Sequence, residues 1–279
     1  MSVFENYQKK REFLVCIDSD GCAMDTMDCK HFHCFGPCMV DEWDLGEWKE
    51  PILDYWNQVN LYTMTRGINR FLALGKVLAH VNVTYRDIPQ IAEFAAWTEQ
   101  AAELSNASVK AAYEENGQEI YKKALAWSEA VNAAITKLPD ELKKPFDGVA
   151  EGVASAHACA DVAIVSSANY EAVKEEWEKF KLMDSVDLCL TQNEGSKAFC
   201  IGEMLKAGYG KDHVLMVGDA PGDKAAAEKN GVLYYPILVK KEAESWERFV
   251  SEALPKFLDG SYQSEYQEKV NKEFLENLS

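Results

Sequence analysis

Apolar positions in this chain follow two rhythms. Short unbroken apolar runs occur at FLVCI (13–17), DVAIV (161–165), HVLMVG (213–218) and VLYYPI (232–237), with a weaker one at SVDLCL (185–190). Runs of this length and continuity suit strands buried on both faces. Between the later runs the apolar period lengthens to that of a helix, in NYEAVKEEWEKFKL (169–182), SKAFCIGEMLKAG (196–208) and DKAAAEKNG (223–231). Strands alternating with helices predict a parallel sheet with helices on both faces.

The stretch between the first and second runs is of another kind. From about Glu47 to His157 almost every segment is helical in period: KEPILDYWNQVNLY, RGINRFLALGKVLAH, IPQIAEFAAWTEQAAEL, VKAAYEENG and QEIYKKALAWSEAVNAAITKL. Asp87 ahead of Ile88-Pro89, Ser105-Asn106, Gly117 and Pro139-Asp140 supply the breaks. A helical block interrupting an α/β pattern predicts an inserted domain. The expected division is an α/β core over 1–28 and 149–279, with a mostly α-helical insert over 29–148. From Glu242 onward the tail is helical again and strongly charged, and there is no internal repeat.

Charge narrows the partners. The 279 residues carry 46 acidic and 29 basic side chains, a net charge of -17. Such a surface repels a phosphate backbone and an anionic membrane, so neither nucleic acid nor membrane is an expected partner. The start, MSVFENYQKKREF, lacks the apolar stretch of a signal peptide, and no run of about 18 apolar residues exists. A cytoplasmic location is expected, where the eight cysteines need not pair. Nothing in the pattern sets an oligomeric state.

Polar residues end the strand-like runs. The first ends in Asp18-Ser19-Asp20, the second in Ser166-Ser167, and the third in Asp219, within GDAPGD (218–223). In an open parallel sheet the carboxyl ends of the strands border one crevice, where ligands bind. Lys197 opens a helix near the same edge. Alternation along an extended chain places Asp18 and Asp20 on one side. Carboxylates crowded at the edge of a core need a cation. Hard oxygen donors suit Mg2+, which takes one or two carboxylates with substrate phosphate and water. One carboxylate can then attack phosphorus, while a hydroxyl and a lysine hold the phosphoryl oxygens. Gly218 permits close backbone approach, Pro221 suits the first turn of a helix, and Gly231 suits its end. Asp219 and Asp223, four apart, can face one ion near the helix start.

Asp18-Ser19-Asp20-Gly21, with Asp25-Thr26 following, resembles the first motif of the haloacid dehalogenase-like (HAD) superfamily. Ser166 looks like its second motif, Lys197 its third, and Gly218-Asp219 through Asp223 its fourth. The resemblance spans roughly 10–30 and 150–240, and a helical insert directly after motif one is similar to the superfamily's C1 cap. It implies a Rossmann-like α/β core and a Mg2+-dependent phosphatase acting on a small phosphorylated metabolite. Asp18 would be the nucleophile, forming an aspartyl-phosphate. Asp20 would protonate the leaving group and then activate water. Ser166, Ser167 and Lys197 would bind the phosphoryl group. Asp18, Asp20 through its carbonyl and Asp219 would hold the metal, with Asp223 as a further ligand or as a partner behind the ligands. The dehalogenase branch lacks an acid at the position of Asp20, so this chain looks like a phosphatase or a phosphomutase. A binding protein that lost turnover is a further alternative. Many capped members carry Pro after the lysine, whereas Ala198 follows Lys197; Lys206 and Lys211 are the other lysines in reach.

Other features invite chemistry. CKHFHCFGPC offers Cys29, His31, His33, Cys34 and Cys38, which zinc accepts. The spacings do not form two paired knuckles. An extended flap is expected there instead, with His31 and His33 alternating and in position to meet substrate, or with thiols half buried. Arg66 and Arg70, four apart on one face of an expected helix, are candidates to grip an anionic part of the substrate, or else form salt bridges. Cys22 has no activating base nearby and is expected to be packed. Trp43, Trp48, Trp56, Trp97 and Trp127 are expected in the core of the insert.

Overall fold

The computed structural model describes residues 3–279. Five strands, β1 (Leu14–Ile17), β2 (Asp161–Val165), β3 (Leu188–Leu190), β4 (Val214–Gly218) and β5 (Leu233–Pro236), form one parallel sheet in the order β3-β2-β1-β4-β5. Each is one of the expected apolar runs. The three central strands and β5 are wholly buried, which is why their sequences carry no alternation. The edge strand β3 is only half buried, and its signal was correspondingly weak. It starts at Leu188, not Ser185, because Met183–Ser185 form a turn and Asp187 bends back onto β2. Asp187 N donates to Val162 O at 2.8 Å, and its Oδ2 accepts from Val162 N at 2.9 Å.

Helices Val149–Cys159, Tyr170–Lys179, Lys197–Lys206 and Pro221–Asn230 alternate with the strands. Asn169 and Ser196 cap the second and third through side-chain oxygens. Pro221 opens the fourth, and Gly231 closes it at φ 68°. Val15, Ile17, Val162, Ile164, Leu215 and Val217 meet Val173, Trp177, Trp246 and Phe249 in one buried cluster. Removing apolar surface of this size from water is the main term stabilising such a sheet.

Two compact units result: Met1–Met27 with Asp140–Ser279, and Asp28–Pro139. The segment 140–148 groups with the α/β unit, where 148/149 was the expected junction. Two backbone bonds hold it there: Asp25 N to Lys144 O at 2.8 Å and Phe146 N to Ala23 O at 3.1 Å.

Asp28–Pro139 is helical throughout its main elements and has a core of its own. Trp56 and Trp127 are fully buried within it, Trp43 nearly so, and Trp48 and Trp97 pack against it. Two expectations fail in this unit. The Cys/His stretch is not an extended flap: His31–Phe35 and Gly36–Glu42 are helical. His31 stacks on Phe35, four residues on, with ring centroids 4.6 Å apart. Helical spacing makes that contact, and it separates His31 from the exposed His33, two residues away. Second, Arg66 and Arg70 do not share a helical face. The helix starts at Arg70, because Gly67 has φ 72° and Asn69 caps the first turn through its side chain. Among the described residues no helix is long and apolar enough to cross a membrane. Among the described residues no two of the eight cysteines form a disulfide.

Candidate active site

Parallel pairing sets the levels of the strand ends. Ile17 lies beside Ile164 on one side and Val217 on the other. Asp18, Ser166 and Asp219 therefore emerge within one residue of the same level, at the carboxyl edge. The sheet reverses its winding around β1, so this edge is the point where a crevice opens. Asp18 N continues the ladder by donating to Val217 O at 3.0 Å, and Ser166 N does the same to Leu190 O at 2.9 Å.

Asp18, Asp219 and Asp223 are buried, and each offers a carboxylate oxygen within 4.8 Å of the others'. Lys197 enters the cluster from the first turn of its helix. Its Nζ stands 2.8 Å from Asp18 Oδ2 and 2.5 Å from Asp223 Oδ1. Lys206 instead pairs with Glu203, and Lys211 lies exposed, with its Nζ near Gly231. Asp223 uses its other oxygen to accept from Ala220 N at 3.0 Å, which fixes the turn that carries Asp219. Gly218 is the residue over which Asp223 folds. A Cβ there would lie 2.5 Å from Asp223 Cβ, so the close approach read from the sequence is made by a side chain.

Burial pushes the Asp18 carboxyl well above the usual carboxylate range. Lys197 pulls it down, and Asp223 and Asp219 push it further up. Burial would lower the Lys197 ammonium, but Asp18 and Asp223 outweigh that and hold it protonated. Cys22, beside them, is a packed thiol whose ionisation burial suppresses. Its carbonyl accepts from Trp246 Nε1 at 3.0 Å.

Asp20 stands outside the buried trio. The loop 18–26 is tied by Gly21 N donating to Met24 O at 2.8 Å, with Gly21 at φ 83°. This brings Thr26, which is fully buried, round to donate its hydroxyl to Asp20 Oδ1. Sequence reasoning placed Asp25-Thr26 in the motif without giving Thr26 a task. The partner lies six residues away through a turn that periodicity does not describe.

Ser166 is buried, and its Oγ accepts from Ala168 N at 3.1 Å, while Ser167 is exposed. His31, Arg66 and Arg70 belong to the helical unit. His31 Nδ1 accepts from Trp56 Nε1 at 3.0 Å. Arg66 is buried and donates to Leu61 O at 2.8 Å. Arg70 donates to Ser128 Oγ at 3.0 Å and Asn132 Oδ1 at 2.8 Å, and lies over the Phe35 ring. Cys29, Cys34 and Cys38 join no metal-binding group among the described residues.

The donor set at the sheet edge fits a divalent cation. Three carboxylates against one ammonium leave two negative charges to balance when all are ionised, and every donor is a hard oxygen.

A family model for haloacid dehalogenase-like hydrolases matches residues 84–235, which include Ser166, Lys197, Asp219 and Asp223. Asp18 and Asp20 lie outside the match, and the fold brings Asp18 to Lys197, Asp219 and Asp223. No curated protein matches the chain. Among solved structures it is similar to a protein provisionally assigned as a phosphoglycolate phosphatase from Lactobacillus delbrueckii subsp. bulgaricus. That pair has 14% identity and a TM-score of 0.51, over 81% of this chain and 85% of that one. It is also similar to a haloacid dehalogenase-like family hydrolase from Streptococcus pneumoniae, with 11% identity and a TM-score of 0.48, over 84% and 90% of the two chains. At 14% identity the likeness to the first of these is one of fold.

Proposed function

The chain belongs to the haloacid dehalogenase-like hydrolases, and from that premise we propose that it is a Mg2+-dependent phosphoric monoester hydrolase working through an aspartyl-phosphate. The observation that carries the reading is the second acid, Asp20, two residues past Asp18 and held by the Thr26 hydroxyl. Displacing halide needs no proton. Displacing an alkoxide from phosphorus does, and Asp20 can supply it.

The roles follow from position. Asp18 Oδ attacks phosphorus, the P–O bond to the leaving group breaks, and Asp20 gives its proton to the departing oxygen. Asp20, now a carboxylate, takes a proton from water. The hydroxide attacks the acyl-phosphate phosphorus, releasing phosphate and restoring Asp18. Lys197 and Ser166 hold the non-bridging oxygens. Asp18 and Asp219, with the backbone carbonyl of Asp20, would ligate Mg2+, and the cation would neutralise the charge gathering on the phosphoryl group. Asp223 has one oxygen on Lys197 and the other on Ala220 N, so it orients the lysine and the turn. Burial raises the Asp18 carboxyl, and a cation bound there would favour its ionised form. The helical unit is the counterpart of the superfamily's inserted cap, and small phosphate esters are the substrate class.

The test is phosphate release from a panel of small phosphate esters, with and without Mg2+, alongside Asp18→Asn and Asp20→Asn. Turnover that requires Mg2+ and Asp18, with Asp20→Asn slowed at least about a hundredfold, is expected. Hydrolysis that survives Asp18→Asn would sink the assignment.

A further inference from the structure

Between the two acids lies a residue the mechanism does not use. Ser19 is fully buried, and its Oγ accepts a hydrogen bond from Trp177 Nε1 at 3.0 Å. Its carbonyl accepts from three backbone N–H groups of the following turn: Cys22 at 3.3 Å, Ala23 at 3.0 Å and Met24 at 2.8 Å. Ser19 is thus the hub of the loop that presents Asp18 and Asp20, and its side chain is gripped from below the sheet edge.

The grip comes from a particular helix. Trp177 is fully buried on Tyr170–Lys179, in the cluster with Val15, Ile17, Val162 and Ile164. That helix is capped by Asn169, three residues after Ser166. One rigid element therefore links the end of β2, which carries the phosphate-binding serine, to the turn that carries the nucleophile.

We propose that Trp177 is a positioning residue for the Asp18-Ser19-Asp20 turn, pinning Ser19 by its indole N–H and so fixing where the flanking carboxylates point. Serine is small, and packing alone selects weakly among its three staggered rotamers. A buried hydroxyl with one fixed donor keeps one of them. Ser19 lies in the turn itself, between the two acids, so fixing its side chain and its carbonyl limits the backbone freedom of Asp18 and Asp20 on either side. Reacting groups need placement to a fraction of an ångström, which a hydrogen bond from a locked aromatic ring can give and a loose methylene cannot. The kinetic consequence rests on the phosphomonoesterase reading. The metal-binding consequence rests on the geometry alone.

The experiment compares wild type, Trp177→Phe, Ser19→Ala and the double variant at saturating Mg2+. It reads kcat, KM, melting temperature and the Mg2+ dissociation constant by calorimetry. Ser19→Ala removes a single oxygen, so it guards against a tryptophan variant that fails to fold. Each single change is expected to lower kcat about tenfold with KM within about twofold, and to weaken Mg2+ binding severalfold. The double variant should fall no further than either single, because the same bond is lost only once. Effects that multiply in the double variant would overturn the proposal. So would melting temperatures that drop while kcat and Mg2+ affinity stay at wild-type values, the mark of packing alone. If wild type hydrolyses no ester, the functional reading fails, and the Mg2+ titrations of the same four proteins decide the positioning claim.

Discussion

Asp223 folds its side chain across the Cα of Gly218. The space a Cβ would need at Gly218 is taken by Asp223 Cβ and Oδ2, each 2.5 Å from it. The same carboxylate receives Lys197 on one oxygen and the Ala220 N–H on the other. Glycine at 218 is thus what lets the fourth motif close on itself.

Gly218→Ala should therefore displace Asp223 and, through it, Lys197. Overpacking of this kind costs about 1–3 kcal/mol. Thermal unfolding should show a drop of several degrees, and phosphate release should fall with it. Adding Asp223→Ala to Gly218→Ala should cost little stability beyond Asp223→Ala alone. Fully additive losses would show that the two residues are not in conflict.

Lys197 pairs with both the Asp18 and the Asp223 carboxylates. Lys197→Met should destabilise the metal-free protein by up to about 3–5 kcal/mol, since it leaves buried carboxylates facing one another. Mg2+ should then raise the melting temperature of the variant by more than that of wild type, while turnover is lost. Equal Mg2+ shifts in the two proteins would contradict this account of the charge balance.

Thr26 donates to Asp20 from a fully buried position. Thr26→Val keeps the shape and removes the donor. A roughly tenfold fall in kcat is expected, with KM little changed and Thr26→Ser close to wild type. Steady-state kinetics on the best ester from the screen would decide it. A Thr26→Val variant with wild-type kcat would show that the hydroxyl is not what holds Asp20.

Asp187 gives the fold an acid-sensitive joint. Burial would raise its carboxyl, but the Lys10 ammonium, the Val162 N–H and His157 outweigh burial and hold it below the usual carboxylate range. Its folded value lies below its unfolded value of about 3.9. The stability it contributes is present above that unfolded value and is lost as pH falls through the folded one. Asp187→Asn should therefore be less stable than wild type at pH 6, with the gap narrowing below about pH 4. Urea unfolding at stepped pH measures this, and a gap that widens on acidification would reverse the sign.

Much of the architecture was legible in the chain. DVAIV became β2 residue for residue, and the four longer apolar runs became buried strands because parallel strands bury both faces. The order of the polar strand ends was readable too, since a parallel sheet delivers all of them to one edge. Helical starts were less so. Arg66 and Arg70 share a spacing that fits a helix, but Gly67 and Asn69 restart the backbone between them. His31 and His33 alternate on paper and diverge in space, because a four-residue contact, His31 on Phe35, holds that stretch in helical form.

What the sequence determined by itself is what depends on neighbours along the chain: which segments are apolar enough to be buried, where caps and glycines end helices, and which acids terminate which strands. What only the tertiary structure decided depends on closure across long separations. Lys197 was nominated from the sequence, but its two partners were not: helix Lys197–Lys206 starts at the sheet edge, with its first residue turned to Asp18 and Asp223. Ser19 met Trp177 across 158 positions. Such contacts leave no period in the sequence. A hydrogen bond reads only the distance and direction of two atoms, and those exist once the sheet has formed.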